Sequence, residues 1–251
     1  MPRFFIRQKQ IDENKITLFG DDAHHIARSL RMAVGDTVTV CDMQGNEYDC
    51  EIESFDDDKQ VFLNVRSVKA PENEPPLRIR LFQALPKGDK LDTIIQKAVE
   101  CGASEIIPFE SERCVVRVKP EAEARKTERR QRIAEEAAKQ CGRSFLPVVR
   151  PTVSFSDMIR LAKEDDVCLF CYEGDGTEPL GAILKRELSD GKAVSVIIGS
   201  EGGFSMKEAQ QIRESGALSA GLGKRILRTE TASGFVLACL VYATELGGNT
   251  W

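Results

Sequence analysis

The stretch of sequence that decides the fold is residues 194–205, VSVIIGSEGGFS. Its first half is a short, mostly β-branched apolar run, which is typical of a strand buried in a parallel sheet. The run ends at Gly199 in a glycine-rich turn, and Ser205 with Glu208 three residues later is the capping-box signature of a helix start. Glycines at the carboxyl end of a strand let a ligand approach the backbone closely. Residues 199–203, the first loop, are therefore a candidate binding site, with an ordinary tight turn as the alternative.

The first loop does not have the features of a dinucleotide or P-loop site. Its glycine spacing is not G-x-G-x-x-G, and the Lys-Ser or Lys-Thr pair of a P-loop is missing. Glu201 lies in the turn, where its charge would repel a pyrophosphate. A carboxylate at this position instead suits a ligand with hydroxyl groups or positive charge, and S-adenosylmethionine has both.

A second glycine-containing segment follows at residues 220–233, AGLGKRILRTETAS. Two glycines precede a short apolar run, and Arg228 stands next to a predicted helix start where threonine, glutamate and serine suit N-terminal capping. We call residues 222–228 the second loop. The helix after it is apolar nearly all round and must be buried on most sides. As its cover we favour a second subunit over an intramolecular core.

Residues 69–76, KAPENEPP, divide the chain, because three prolines, charged residues and no apolar periodicity are the composition of a linker. Before this segment, short alternating runs indicate a small β-barrel or sandwich with a hairpin turn at Gln44–Asn46. A short helix is predicted over residues 22–31. The predicted strands are residues 15–19, 37–41, 47–52 and 61–65.

After the linker, strands alternate with helices, which predicts an α/β domain with a mostly parallel sheet. One helix over residues 91–101 ends at Gly102, and a long charged helix over 119–141 ends at Gly142. The predicted strands are residues 77–85, 105–109, 167–172 and 194–198. We place the two domains at residues 1–72 and 73–251.

Composition limits the function classes. The chain has 251 residues with 35 basic and 40 acidic side chains, a formal net charge of -5, which argues against a general polyanion binder but allows a specific RNA site built from a few arginines. The first residues do not form a signal peptide and no apolar run approaches a membrane span, so we expect a cytoplasmic protein without a membrane segment. The eight cysteines include one C-x-x-C, at Cys168 and Cys171, in a predicted strand, and we expect core packing and no metal.

The two loops closely resemble the paired C-terminal motifs of the ribosomal RNA small-subunit methyltransferase E family, which belongs to the SPOUT superfamily of knotted methyltransferases. Other motifs resemble this family in the same order, from Arg3 to the C-terminus. Cys114 and Cys141 stand where the family's motifs have serine, which questions hydroxyl roles at these positions. The further motifs are residues 86–90, Gln96 with Lys97 and Glu100, residues 112–114, and Glu136 with residues 140–143.

The resemblance implies a fold and an activity. It implies a PUA-like β-barrel in residues 1–72 that binds RNA and a SPOUT-type α/β methyltransferase domain in residues 73–251 with a C-terminal trefoil knot. It also implies a homodimer that transfers a methyl group from S-adenosylmethionine to N3 of one uridine in small-subunit ribosomal RNA. The substrate would be that RNA, free or in the assembled subunit.

Site residues follow from the resemblance and from the chemistry of the step. The N3 proton of uracil must leave and the developing anion must be stabilised, and the always-charged guanidinium of Arg228 suits the second task. Glu201 and Glu230 remain alternatives for the base. The predicted cofactor-binding residues are Gly199, Ser200, Glu201, Gly202, Leu222, Gly223, Ile226, Leu227 and Arg228, with an apolar wall of Leu222, Ile226 and Leu227 against the adenine. The predicted RNA-binding residues are Arg3, Arg7, Arg28, Arg31, Arg113 and Arg143, with Arg28 and Arg31 on one helix face.

Two other function classes remain open at this point. One is a non-catalytic RNA-binding or ribosome-assembly protein with a vestigial cofactor pocket. The other is a nucleotide-binding oxidoreductase or hydrolase, which the missing G-x-G-x-x-G and P-loop spacings count against. Binding of S-adenosylmethionine, NAD and ATP separates these classes.

Overall fold

The computed structural model describes residues 1–6, 10–56 and 59–247. The chain divides into two compact units. The first unit comprises residues 1–74 together with 138–146, and the second comprises residues 75–137 together with 147 onward.

The first unit is built on a sheet in which, among the described residues, six strands pair in the order β1-β4-β5-β6-β3-β2. The β1–β4 pair is parallel and the other pairs are antiparallel. Alternate residues of these strands face a common apolar core, in which Phe4, Leu18 and Leu63 are almost fully buried. The strands are β1 (Arg3–Phe5), β2 (Ile11–Asp12), β3 (Lys15–Phe19), β4 (Thr37–Cys41), β5 (Glu47–Asp56) and β6 (Gln60–Lys69).

The predicted hairpin turn is confirmed between β4 and β5, where Cys41 pairs with Glu47. Gly45 has a φ of 103°, a left-handed conformation that glycine adopts without steric cost. The Asp42 carboxylate closes the turn by accepting the backbone N–H groups of Gln44 at 2.8 Å and Asn46 at 3.1 Å. An aspartate that binds the backbone of its own turn is a common local turn device.

The short helix predicted over residues 22–31 differs from the structure in length and type. It consists of α1 (Asp21–His24) and a π-helical turn over His25–Ser29. Arg31 lies beyond it with a φ of 53°, outside any helix. The expectation that Arg28 and Arg31 share a helix face is therefore wrong, because the helix ends between them.

The second unit contains a sheet in which, within the described ranges, seven strands pair in the order β11-β13-β10-β12-β7-β8-β9. Every neighbouring pair is parallel, as the alternation of strands and helices predicted. All six residues of β12 are buried, which explains why five of them are apolar. The strands are β7 (Arg78–Ala84), β8 (Ala103–Phe109), β9 (Val148–Val149), β10 (Val167–Cys171), β11 (Glu178–Pro179), β12 (Ala193–Ile198) and β13 (Leu218–Gly221).

The helices of this unit connect the parallel strands. Gly102 follows α2 with a φ of 83°, and Gly142 follows α3 with a φ of 80°, so both helices end at the predicted glycines. The structure adds α4 and α5, which were not predicted. The helices are α2 (Lys90–Glu100), α3 (Pro120–Cys141), α4 (Phe155–Ala162), α5 (Leu180–Glu187), α6 (Met206–Glu214) and α7 (Thr229–Val241), the last continued by a π-helical turn over Tyr242–Leu246.

Candidate active site

A cavity of about 350 Å³ opens in the second unit where the two loops meet. Its wall includes the last residue of three neighbouring parallel strands, Cys171 of β10, Ile198 of β12 and Gly221 of β13. The carboxyl ends of parallel strands are the usual ligand-binding edge of an α/β sheet. Of the nine residues predicted to bind a cofactor, eight line this cavity: Gly199, Ser200, Glu201, Leu222, Gly223, Ile226, Leu227 and Arg228.

The ninth predicted residue, Gly202, has a different environment. A side chain built on Gly202 would place its Cβ 3.1 Å from Cβ of Arg113, so the glycine allows these two segments to pack closely. Arg113 Nη1 also donates a hydrogen bond of 3.0 Å to the carbonyl oxygen of Gly202. Its neighbour Gly203 lines the cavity in its place.

The first loop folds back on itself as a tight turn. The Gly203 N–H donates to the Ser200 carbonyl at 2.9 Å, and Gly203 has a φ of 62°. This left-handed conformation favours glycine; a Cβ at Gly203 would also lie 2.5 Å from Oε1 of Glu173, so the glutamate side chain would have to move. The turn brings the backbone of residues 199–201 to the cavity.

The predicted capping box at the start of α6 is confirmed. Ser205 Oγ accepts the N–H of Glu208, and Glu208 Oε2 accepts the N–H of Ser205 at 3.0 Å. The same carboxylate is 5% exposed and accepts the N–H of Glu112 through Oε1 at 2.7 Å. Glu208 therefore joins the segment around Glu112 to the end of the first loop.

The second loop is tied to the first by a buried hydroxyl. Arg228 is the N-cap residue of α7, and Thr229 is the first residue of that helix. Thr229 Oγ1 donates a hydrogen bond of 2.6 Å to the carbonyl oxygen of Gly199 and accepts one of 2.9 Å from Nε2 of Gln83. Neither Thr229 nor Gln83 was predicted as a site residue, although Thr229 lines the cavity.

Charged groups of both signs border the cavity. Lys90 Nζ lies 2.9 Å from Glu201 Oε1 and 3.4 Å from Glu230 Oε2, so one ammonium group serves both carboxylates. Partial burial acts to raise the pKa of Glu201, but hydrogen bonds from Lys90 and from the Lys87 N–H outweigh it and hold that pKa below its usual value. Arg228 is exposed and makes no ion pair with any residue that the structure describes.

The predicted apolar wall lies around the cavity, but its three residues differ in exposure. Leu222, Ile226 and Leu227 all line the cavity. Ile226 is 87% exposed, so in this state most of its surface faces solvent. Ile198 and Ala232 add apolar surface from β12 and α7.

The family assignment follows from comparison with known proteins. A family model described as an RNA methyltransferase domain matches residues 73–241, and one described as an RNA methyltransferase PUA domain matches residues 18–65. The ribosomal RNA small subunit methyltransferase E of Bacillus subtilis is 36% identical over 98% of this chain and 98% of its own length. The chain belongs to the ribosomal RNA small-subunit methyltransferase E family.

Other members of the methyltransferase E family agree in sequence and structure. The Synechocystis protein of that name is 33% identical over 94% of this chain and 76% of its own length. The crystal structure of the Neisseria gonorrhoeae protein, bound to S-adenosyl methionine, has a TM-score of 0.83 at 30% identity and covers 96% of this chain and 97% of that one. The fold is thus a PUA domain followed by an α/β methyltransferase domain with a parallel sheet.

Two of the arginines predicted to bind RNA are instead held in ion pairs within the first unit. Arg3 Nη1 lies 2.6 Å from Glu47 Oε1, with only 11% of the arginine side chain exposed. Arg143 is 5% exposed and its Nη2 lies 2.8 Å from Glu74 Oε2. A guanidinium buried against a carboxylate is not available to a phosphate without breaking that pair. For this methyltransferase we therefore correct the role of both residues to internal ion pairs.

The other predicted RNA-binding arginines are exposed or outside the described residues. Arg28, Arg31 and Arg113 are exposed, which is compatible with RNA contact. Arg7 lies outside the residues that the structure describes. For this group RNA contact stays a prediction.

Several cavity residues of this family member were not predicted from the sequence. Tyr172 and Glu173 directly follow β10, whose neighbour β12 leads into the first loop. The predicted strand over residues 167–172 could therefore have identified them, because the carboxyl ends of neighbouring parallel strands form one binding edge. Thr177 approaches Gly221, where a Cβ would lie 2.9 Å from its hydroxyl oxygen. The residues missed are Cys171, Tyr172, Glu173, Thr177, Ile198, Gly203, Gly221, Lys224, Arg225, Thr229 and Ala232.

The C-x-x-C cysteines both belong to β10, and Cys171 is its last residue. Cys171 is buried and Cys168 is partly buried, and burial raises the pKa of the Cys168 thiol to about 12. Within residues 1–6, 10–56 and 59–247, no three His, Cys, Asp or Glu side chains are grouped so that they could hold a metal ion. In the same part of the chain, no helix combines the length and the apolar character needed to cross a membrane.

Proposed function

We propose that this protein acts in the cytoplasm and transfers a methyl group from S-adenosylmethionine to N3 of a specific uridine in small-subunit ribosomal RNA. The observation that carries the proposal is the meeting of the two loops at the carboxyl ends of β10, β12 and β13, with Arg228 at the cavity. Relatives named ribosomal RNA small subunit methyltransferase E support the RNA class. The assignment of a uridine, and of its N3 atom, as the methyl acceptor rests on the family resemblance.

The cavity fits the cofactor in size and in the chemistry of its wall. Ligand pockets usually measure about 300–1,000 Å³, and this cavity of about 350 Å³ falls in that range. Ser200 is 7% exposed, and its hydroxyl has no hydrogen-bond partner in the part of the chain that the structure describes. Such a buried hydroxyl is stabilised when a ligand offers a polar partner. Backbone groups of both loops would hold the adenine and ribose, and Leu222, Ile226 and Leu227 would cover the adenine.

Glu201 serves in this proposal as a fixed negative charge. Its lowered pKa keeps the carboxylate ionised at neutral pH, which favours a positively charged or hydroxyl-bearing ligand nearby. The same lowered pKa makes Glu201 a poor proton acceptor, because a good general base has a pKa near the working pH. We therefore give Glu201 a binding role in preference to the role of base.

When bound, S-adenosylmethionine supplies a methyl group already activated by a positively charged sulfur. The protein then contributes mainly position and electrostatics. In this proposal Arg228 would donate hydrogen bonds to the carbonyl oxygens of uracil, where negative charge develops as N3 loses its proton. Its backbone is fixed, since its carbonyl accepts the N–H groups of Thr231 at 2.9 Å and Ala232 at 2.8 Å.

We further propose a homodimer formed through α7. A mostly apolar groove of about 620 Å³ runs beside this helix, and Phe235 and Tyr242 in it are 43% and 52% exposed. A contiguous apolar surface of this kind is typical of an interface. The other groove residues include Leu180, Leu184, Leu188 and Cys239. The same proposal includes two domains, at residues 1–72 and 73–251. The first domain would bind RNA, and the second would contain the trefoil knot.

The decisive experiment is mass-spectrometric mapping of modified nucleosides in small-subunit ribosomal RNA from cells with and without the gene. A single N3-methyluridine that disappears in the deletion strain and returns with the wild-type gene supports the proposal. Methyl transfer from labelled S-adenosylmethionine to purified small subunits and to free RNA then identifies the substrate form. An unchanged modification map, or binding of NAD or ATP in place of S-adenosylmethionine, would overturn it.

A further inference from the structure

A glutamine on β7, an interior strand of the second unit's sheet, is buried beneath both loops. Gln83 is the next-to-last residue of β7, pairs with Ile198 of β12 on one side and Pro108 of β8 on the other, and is 0% exposed. Its amide oxygen has no hydrogen-bond partner among the described residues, so the amide nitrogen makes the hydrogen bonds that stabilise this buried group. Gln83 does not line the cavity, so its role is not to contact the ligand.

The hydrogen bonds of Gln83 have a defined direction. Its Nε2 lies 2.9 Å from the Ala84 carbonyl oxygen, 2.9 Å from Thr229 Oγ1 and 3.4 Å from the Gly199 carbonyl oxygen. Two of these three acceptors are carbonyl oxygens, which an amide oxygen in the same place would repel. The amide nitrogen must therefore point toward the two loops.

The Thr229 hydroxyl continues this chain of hydrogen bonds. It accepts from Gln83 and donates to the Gly199 carbonyl at 2.6 Å, so its single hydrogen is committed. Gly199 is the first residue of the first loop, and Thr229 follows Arg228, the last residue of the second loop. Hydrogen bonds in a buried chain reinforce one another. One amide on β7 thereby fixes the spacing between the two loops.

We propose that Gln83 is a positioning residue for methyl transfer, which acts through Thr229 to hold Gly199 and Arg228 at the spacing that the cavity requires. This inference rests on the proposed function of the cavity. Loss of the amide donors would let the Thr229 hydroxyl rotate and the start of α7 shift against β12. A displacement on the order of 1 Å at a reacting site costs up to about 100-fold in rate.

The test uses the full-length protein with substitutions at both ends of the chain of bonds. Gln83→Met keeps the length of the side chain and removes its donors, Thr229→Val removes the hydroxyl, and Thr229→Ser restores it. Ser104→Ala is the control, because the Ser104 hydroxyl donates to the Ile79 carbonyl at 2.9 Å, near the other end of β7. For each variant we measure the unfolding midpoint, the Kd for S-adenosylmethionine by calorimetry, and kcat and KM for label transfer to small ribosomal subunits.

We expect Q83M and T229V each to lose roughly 10-fold to 100-fold in kcat or in affinity for S-adenosylmethionine, with KM for the RNA substrate unchanged. T229S and S104A should behave like the wild type. The double variant Q83M/T229V should lose no more kcat or affinity than the more impaired of the two single variants, because both changes break the same chain of bonds.

Three results would overturn the inference: wild-type affinity and turnover in Q83M, additive losses in the double variant, or equal losses in T229S and T229V. If Q83M does not fold, the inference is tested by comparing the Kd and kcat of T229V with those of T229S. A purely structural role would lower the unfolding midpoint and leave the Kd and kcat of the folded protein unchanged. Failure of the wild type itself to bind S-adenosylmethionine would instead refute the proposed function.

Discussion

Arg228 combines a fixed backbone with an exposed side chain. It caps α7, where its carbonyl accepts two helical N–H groups, while its guanidinium makes no ion pair with a described residue. By contrast, Arg3 and Arg143 are engaged with the carboxylates of Glu47 and Glu74. An unpaired guanidinium beside a cavity is suited to bind a group that becomes negative during a reaction.

Replacing Arg228 by alanine should lower kcat by about 100-fold to 1,000-fold, the usual cost of removing one donor to a developing anion. The Kd for S-adenosylmethionine should change much less, because we propose that the loops hold the cofactor mainly through backbone groups. Arg228→Lys is the matched variant and should fall between alanine and wild type, since it keeps the charge without the planar donors. Single-turnover label transfer and calorimetry measure the two quantities, and near-wild-type turnover in R228A would refute the role.

The pair of Lys90 and Glu201 predicts a pH dependence of stability. The pKa of Glu201 is lowered in the folded protein, so the pair stabilises the fold above the pKa of the unfolded carboxylate, about 4.3. That stabilisation is lost as the pH falls through the lower pKa of the folded state. Lys90→Met should therefore lower the unfolding midpoint at pH 7 and change it much less at pH 3.

Lys97→Met is the control for this measurement. Lys97 pairs with Glu100 on the surface of the same helix, with 56% and 35% of the two side chains exposed. An exposed pair of this kind contributes little, so K97M should change the midpoint less than K90M at pH 7. A K90M difference that is the same at pH 3 and pH 7 would contradict the assignment.

A functional residue could be identified from the sequence when its partner lies close by along the chain. The capping box of Ser205 and Glu208 was predictable because its partners are three residues apart. Gln83 and Thr229 are 146 residues apart, so no local pattern connects them. Arg3 and Arg143 were assigned to RNA because their partners, Glu47 and Glu74, lie 44 and 69 residues away. A charged side chain looks solvent-exposed in a sequence until the fold supplies its counter-ion.

At the scale of elements, α7 shows two different faces. Val236, Leu237 and Leu240 are buried within the unit, whereas Phe235 and Tyr242 are exposed to the groove beside α5. This division explains why the helix is apolar nearly all round: one face fills the core, and we propose that a second copy covers the other.

Phe235→Asp should convert the proposed dimer to a monomer, because a carboxylate in an apolar interface is costly to desolvate. Sedimentation velocity measures the change in mass. Val115→Asp is the control, since Val115 is also an exposed apolar residue of the second unit, at 70% exposure, but does not line the groove. A monomeric wild type, or a dimeric F235D protein, would reject this interface.

Long elements were predicted better than short ones. The bounds of α2 and α3 agree with prediction to within one residue, because their apolar periodicity and terminal glycines are strong local signals. The four-residue β13 and the eight-residue helices α4 and α5 were missed. β13 carries too few residues to show a period, yet its end at Gly221 forms part of the cavity wall.

For the whole molecule, the net charge of -5 makes general attraction to RNA unfavourable, so binding must rest on local arginines. Arg28 and Arg31 are exposed residues of the first unit and remain predicted to bind RNA. Because the helix ends between them, the two side chains would contact RNA from backbone of different conformation.

Substituting both Arg28 and Arg31 by alanine should weaken RNA binding and flatten its salt dependence. The slope of log K against log salt should fall by about 0.7–0.9 for each phosphate that the variant no longer neutralises. Arg132→Ala is the control, because Arg132 is 71% exposed and pairs with Glu128 on its own helix. Filter binding of small-subunit RNA at several salt concentrations gives the slopes. An unchanged slope in the double variant would exclude phosphate binding by this pair.

The parallel order of the second sheet has a consequence for biosynthesis. The elements that line the cavity come from successive stretches of the chain: β10 begins at Val167, and α7, which completes the wall, begins at Thr229. A nascent polypeptide thus has no complete pocket until the first turn of α7 has left the translating ribosome. Parallel strands pair only after the connection between them has been made, so a chain that stops before α7 lacks part of the wall that would hold the cofactor.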